Sequence, residues 1–358
     1  MNSKNKAIII GWINKNKLAD CGETMKNQLM IQKLKELGVK CYLVDFKNWR
    51  KHPWVFLELL WFMFAHRDAT LVFSTSTQNV YPMMKLMKCM RWRQHTVHWV
   101  IGGSLGENVM NGIYSAGVIG YMGYTIVESP IMKKQLEACG VRNVITLPNF
   151  KPINYYPKIG ERISSIGKRP LKFVFLSRIM AEKGCDYILE CAKQLNAMGL
   201  EQDYIIDFYG AVAKTYESVF TEKIKTLDNV YYRGFLNLRE NEGYDTLATY
   251  DVMLFPTYWK GEGFAGVFID AFVSGVPMIA SDWAHNRQFM TENQTALFVP
   301  VHNIPALKEK MQECIEGKYD LKRMALCCQK HAETYNVDNV VTMQLLKRVG
   351  IIKEETSG

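Results

Sequence analysis

Nine cysteines lie scattered along the 358 residues, at 21, 41, 89, 139, 185, 191, 314, 327 and 328, and no two form a Cys-x-x-Cys pair. An odd, unpatterned set argues against a disulfide framework or a zinc cluster and fits reduced thiols in the cytoplasm. Long apolar runs are also missing. The strongest, "PWVFLELLWFMFAH" at 53–66, is interrupted by Glu58 and is too short to cross a bilayer, so no transmembrane helix is expected. The first residues, "MNSKNKAIIIGW", have only a brief apolar stretch and no small-residue cleavage pattern; they read as a first buried strand rather than a leader. There is no collagen period, no Gly/Ser or Gln/Asn tract, no sustained heptad and no recognised nucleic-acid-binding motif.

What is present is a globular composition. Hydrophobic residues make up 48% of the chain, enough for one large or two ordinary domains. The net charge of +9 favours anionic partners such as phosphorylated substrates, an acidic membrane surface or nucleic acid, unless it is only a basic solvated face.

Apolar segments alternate between strand and helix spacing. "KAIIIGW" reads as a strand, "ETMKNQLMIQKLKELG" as a helix closed by Gly38, and "VKCYLVDF" as the next strand. "ATLVFST", "HTVHWVIGG", "YTIVES" and "VITLPN" continue the strands. After Asn149 the polar stretch "FKPINYYPKIGERISSIGKRP" reads as a domain crossing. The alternation then restarts from "LKFVFLSR" and runs to "PMIAS", followed by a helical segment near 304–334 and a final helix near 337–352. This order predicts an α/β protein of two doubly wound, Rossmann-like parallel-sheet domains, residues 1–160 and 168–335, with residues 336–358 crossing back to the first. Ligands of such sheets bind beyond the carboxyl ends of the strands, in a cleft that the two domains would face.

Two stretches at such ends carry chemistry. In "FLSRIMAEKGCDYIL" a strand is followed by Arg178 and then Lys183, a guanidinium fork and a point charge suited to a diphosphate, or else two solvated loop cations. In "GEGFAGVFIDAFVSGVPMIASD" the small residues Gly263, Ala265 and Gly266 keep a loop narrow ahead of a helix, so that amides can approach an anion. Glu262 at its lip and Asp270 one turn into the helix suit sugar or ribose hydroxyls; the plain alternative is a capping turn.

Together these stretches resemble retaining GT-B glycosyltransferases of glycosyltransferase family 4, which includes many bacterial polysaccharide and lipopolysaccharide enzymes. "FLSRIMAEKG" is similar to their GR-x-x-x-EKG element and "EGFAGVFIDAFVSGVPMIASD" to their E-x7-E segment, with "LPNF" and "YDVMLFPT" matching as well. The resemblance is strong over roughly 140–300 and looser over the first half. It implies a GT-B fold and a nucleoside-diphosphate sugar donor, of UDP or GDP type, with no further cofactor. Arg178 and Lys183 would hold the diphosphate and Glu262 the donor sugar, acting as the catalytic set. The amides of Gly263, Phe264, Ala265, Gly266 and Val267 would take sugar and phosphate oxygens, Asp270 the ribose, and Gly234 and Phe235 the base. Asp270 stands where the family has Glu, one methylene shorter.

Many relatives place a histidine near the reacting sugar. Here His98 falls inside an expected strand and reads as a core residue, so the Gly102–Gly103 loop is the expected backbone contact; His285 reads as a surface turn. Gly22, Glu23 and Thr24 begin the first long helix and would meet acceptor or phosphate, or merely cap it. No Asp-x-Asp pair, the manganese signature of the other large glycosyltransferase fold, occurs, so a metal-independent, retaining reaction is expected. The acceptor would be a glycan or lipid-linked glycan. The segment around Lys47, Arg50, Lys51 and His52 and the stretch "YPMMKLMKCMRWR" mix cations with Met and Trp, which suits peripheral contact with an anionic membrane at its inner face, or else a core helix with a basic edge. The competing classes are a sugar-nucleotide epimerase on the same fold, a non-catalytic nucleotide-sugar or membrane binder, and, from charge alone, a nucleic-acid-binding protein; nucleic acid is not the expected partner.

Overall fold

A computed structural model describes residues 5–19, 21–47, 49 and 51–353. Arg50, grouped above with Lys47, Lys51 and His52, lies outside the described residues. The chain divides into two units, one of residues 1–152 with 335–358 and one of residues 153–334.

The first unit is built on six parallel strands: β1 (Lys6–Gly11), β2 (Lys40–Asp45), β3 (Thr70–Thr75), β4 (Thr96–Val100), β5 (Tyr124–Val127) and β6 (Val144–Thr146), in the order β2-β1-β3-β4-β5-β6. Ala7 to Ile10 are all buried, as a parallel strand covered on both faces requires. Met30, Ile31 and Leu34 of helix Gly22–Glu36 pack on Ala7, Ile9, Val72 and Trp99 on one face. Helices Val55–Ala65, Thr77–Cys89 and Pro130–Ala138 cover the other, through residues such as Leu59, Met84 and Leu136.

The end of the chain belongs to this unit. Val337, Val341, Leu346 and Ile351 join the cluster that holds Trp99 and Phe150, and Lys151 bridges Asn336. The single helix expected over 337–352 is instead two short ones, Val337–Val340 and Met343–Arg348. Thr342 separates them, because its extended backbone (φ −94°, ψ 159°) and its hydroxyl, which accepts from Leu345 N, start a new helix.

The second unit repeats the design with β7 (Leu171–Leu176), β8 (Tyr204–Tyr209), β9 (Val230–Gly234), β10 (Val252–Phe255), β11 (Met278–Ser281) and β12 (Ala296–Val299), ordered β12-β11-β10-β7-β8-β9 and all parallel. Strand β12, a four-residue apolar run in a polar surround, was not among the strands expected from sequence. The polar stretch read as a crossing is largely fastened to this unit. It contains helix Gly160–Ser165, whose Arg162 is buried and donates to the carbonyls of Tyr250 and Gly275 at 2.5 and 2.7 Å. Arg169 grips the buried Asp251 with both terminal nitrogens, at 2.8 and 2.9 Å. Among the described residues no helix is long and apolar enough to cross a membrane.

Each sheet reverses its winding once. In the first, β1 lies between β2 and β3; in the second, β7 lies between β8 and β10. Loops leaving the carboxyl ends of such a strand pair diverge to opposite faces and open a crevice.

Candidate active site

In the second unit the crevice lies beyond β7 and β10, and both motifs leave from these two strands. β7 ends at Leu176, and Ser177 and Arg178 follow. The chain crosses the end of β8, where Gly210 (φ +136°) is obligatory because a Cβ would stand 1.8 Å from Ser177 O. It then forms a 3₁₀ turn, Ala181–Lys183, closed by Gly184 (φ +78°). A Cβ on Gly184 would lie 2.3 Å from Pro256 O, so this glycine lets the turn press against the loop that leaves β10.

That contact brings the charges together. Lys183 Nζ is 2.6 Å from Glu262 Oε2, and both side chains are buried. Thr257 Oγ1 donates to the same oxygen at 2.8 Å, so both contacts fall on Oε2. The loop that carries Glu262 is braced from two sides: Tyr258 N donates to Glu182 O at 2.9 Å, and Trp283 Nε1, beyond β11, donates to Trp259 O at 2.8 Å. Arg178 is exposed, with its guanidinium 5.6 Å from the centre of the Trp259 ring, a cation–π contact that holds the cation beside the pair.

The small-residue loop follows. Phe264 turns inward, its ring 4.3 Å from that of Phe289, so only its backbone faces the loop. The helix Val267–Val273 has its first backbone bonds at Phe268 N to Ala265 O and Ile269 N to Gly266 O; the amides of 263–267 precede them. Asp270 is buried, and its Oδ1 accepts from the Tyr244 hydroxyl at 2.9 Å. Burial and the adjoining carboxylate push the Tyr244 phenol far up, so it remains a donor. Tyr244 carried no sequence signal: it lies 26 positions away on helix Asn241–Leu247. Thr257 and Trp259 were missed too; they lie just ahead of the stretch from Gly261 that sequence singled out, Thr257 at the end of the strand expected over 252–257.

Gly234 ends β9 at φ +77°, and its carbonyl accepts from Gly210 N at 2.7 Å. Phe235 beside it is 81% exposed, an open aromatic face at the same edge of the sheet. His285, read as a surface turn, is buried: it precedes helix Asn286–Phe289, and Ala284 before it takes φ +50° to turn the chain inward.

The remaining candidates are in the first unit. Gly102 (φ +107°) and Gly103 follow β4. Gly22 opens helix Gly22–Glu36, and Glu23 accepts from the Thr75 hydroxyl at the end of β3. Burial raises the pKa of Glu23. The buried Thr24 turns back on Cys21, accepting from its N at 3.1 Å and donating to its O at 2.9 Å, as a helix cap does. Beside it is a pair that sequence reasoning missed: Lys26 and Glu128, both buried, 2.6 Å apart. His98 is wholly buried within β4, 3.4 Å from Thr77 Oγ1, and desolvation lowers its pKa to about 3.

Two parallel six-stranded sheets with these crossings define a two-domain α/β protein of the GT-B type. Residues 160–330, most of the second unit, match the family model of the glycosyl transferases group 1. Among solved structures the chain is similar to HepE of Anabaena, crystallised with UDP (13% identity, 97% of this chain and 100% of that one, TM-score 0.69). It is also similar to sucrose-phosphate synthase of Thermosynechococcus elongatus (13%, 96% and 98%, 0.75). A third is the pneumococcal O-GlcNAc transferase GtfA with UDP and GlcNAc (15%, 83% and 60%, 0.58). At these identities the likeness is one of fold. No curated protein matches the chain.

Proposed function

We propose that this protein transfers a sugar from a nucleoside-diphosphate sugar to a hydroxyl of a glycan or lipid-linked glycan acceptor, with retention of anomeric configuration, in the building of a surface polysaccharide. The observation that supports this reading most is the Lys183–Glu262 pair, set beside Arg178 at the winding reversal of the unit that matches the group 1 glycosyl transferase model. That HepE has been crystallised with UDP and with UDP-glucose supports a UDP-type donor.

In this reading Arg178 and Lys183 neutralise the diphosphate as its charge grows, a preorganised stabilisation that needs no metal ion. Glu262 accepts from hydroxyls of the donor sugar, and the amides of 263–267 receive sugar and phosphate oxygens. The bond from the anomeric carbon to the phosphate oxygen breaks as the acceptor oxygen bonds to the same face. The acceptor's proton passes to an oxygen of the leaving diphosphate. Asp270, oriented by Tyr244, takes the ribose, and the open ring of Phe235 borders the base.

The first test is a thermal-shift series with UDP, GDP and their sugars, followed by transfer assays on Arg178→Ala. Truncating Arg178 should lower turnover by about 10²–10³-fold. Near-normal transfer would sink the assignment, and loss of activity in EDTA would overturn its metal-independent part. Donor consumed without any acceptor would move the protein to the epimerase reading.

A further inference from the structure

The helix Val55–Ala65 has no polar face. Val55, Leu59 and Met63 are buried against the first sheet. On the opposite side Trp54, Leu57, Trp61 and Phe64 are 74%, 58%, 68% and 55% exposed, and Phe56 and Leu60 are exposed beside them. The spacings of three and four place these residues along one continuous stripe. Soluble surfaces carry single exposed apolar side chains freely, but a contiguous aromatic stripe marks a surface that something covers.

The stripe continues onto a second element. Phe64 meets Trp92 edge to face at 5.5 Å, and Arg67 lies over both rings, at 5.4 and 6.0 Å. Met90 beside Trp92 is exposed, as is Leu86 on the preceding helix. Exposed cations border this surface: Lys51 before the helix, Arg67 after it, and Lys85, Arg91 and Arg93 on the neighbouring segment. None of them forms an ion pair among the described residues. The acids of the region are already matched, Glu58 with Lys15 at 3.0 Å and Asp68 with Lys6 at 2.8 Å. The surface therefore combines an apolar face rich in tryptophan with a rim of one charge sign.

We infer that this face inserts into the headgroup and acyl boundary of an anionic lipid membrane. One apolar helix face or a few cations alone bind reversibly and weakly; the two together give stable peripheral attachment. The inserting residues are Trp54, Leu57, Trp61 and Phe64. The methionine-bearing stretch proposed for this role from sequence is divided: Met84 and Met87 are core residues, whereas Leu86, Met90 and Trp92 join the surface together with Lys85, Arg91 and Arg93. The helix follows β2 and runs back against the strands, so its start, with Trp54 and Lys51, lies at the carboxyl edge of the sheet, the edge that also carries Gly102 and Glu23. A membrane on this face holds a lipid-linked acceptor next to the loops assigned to it, and this consequence rests on the transferase reading.

The test floats the full chain on a density gradient with vesicles of phosphatidylcholine and phosphatidylglycerol at low salt. The chain should float, and withholding phosphatidylglycerol should reduce the bound share. Trp61→Gln with Phe64→Gln should lower partitioning by about tenfold or more, since binding scales with the apolar area inserted. Absence of flotation, or flotation untouched by the double substitution, overturns the proposal. So does a dimer, seen in sedimentation without lipid, that the substitutions dissociate, because the face would then join two copies of the chain. UDP and GDP binding, measured by calorimetry without lipid, should be the same in parent and variant. A chain that binds vesicles but neither nucleotide fails the transferase reading and keeps this one.

Discussion

Lys183 and Glu262 neutralise each other in a buried setting, and this gives each a structural role besides the chemical one. Removing one partner strands a buried charge, at a cost of about 3–5 kcal/mol, whereas replacing both with neutral groups of similar size is close to neutral. Lys183→Ala is therefore expected to melt well below the parent, while Lys183→Met with Glu262→Gln melts near it. Both should be inactive in sugar transfer. An active double variant would show that the pair only holds the loops together. His98 allows a pH test. Its pKa in the folded state, about 3, lies below the ordinary histidine value, so the unfolded chain binds the extra proton between the two. The neutral ring's contribution is full above about pH 6.5 and is lost as the pH falls toward 3. Urea unfolding of His98→Phe should show a stability-against-pH slope shallower than the parent's by up to about 1.4 kcal/mol per unit across that window. Parallel slopes would mean that the ring is not held neutral.

At the scale of the element, the site depends on two turns that admit no side chain. Gly184→Ala puts a methyl group onto Pro256 O and forces a residue with Cβ into the left-handed region. The expected cost is about 2–4 kcal/mol, with catalysis lost further because Lys183 is displaced. Thermal melts of Gly184→Ala against Gly199→Ala separate the two causes, since Gly199 shares the positive φ but has open space around it. Tyr244→Phe removes one donor from the buried Asp270. It should cost about 1–3 kcal/mol and, if the ribose is held there, raise KM for the donor more than it lowers kcat. An unchanged KM would remove Asp270 from the donor site.

For the whole molecule, the return of the chain's end is the feature with the widest consequence. Val337, Val341, Leu346 and Ile351 complete one face of the first sheet although they lie far from it in sequence. A chain stopped after residue 336 should expose Trp99 and Phe150 and unfold its first unit early in a calorimetric scan, with the transition of the second unit little changed. A single unshifted transition would show that these residues are dispensable.

Much of this was legible in the residues themselves. Strand and helix spacing in "KAIIIG" or "LKFVFL" follows from burial on both faces, which demands continuous apolar runs wherever the segment lies. Arg178 and Lys183 lie within one short loop after β7, and Glu262 with the small residues from 263 to 266 within another after β10, so each set stands together in the sequence. Other features had no local cause to read. β12 is no shorter than β10 or β11 but stands between polar turns without a helix pattern before it, the break at Thr342 depends on a cap, and His285 is buried in a turn where Ala284 takes φ +50°. The pairing of Lys183 with Glu262, of Asp270 with Tyr244 and of Lys26 with Glu128 joins residues 79, 26 and 102 positions apart. The apolar run at 53–66 shows the same division. Its composition was plain, but which half packs on the sheet and which stands open was set by the strands beneath it. Sequence alone determined the periodicity, the turn chemistry and the local charge sets, because these act within a few residues. The tertiary structure decided the partners and the exposed face, because only strand order brings the ends of β7 and β10 side by side and leaves one side of a uniformly apolar helix uncovered.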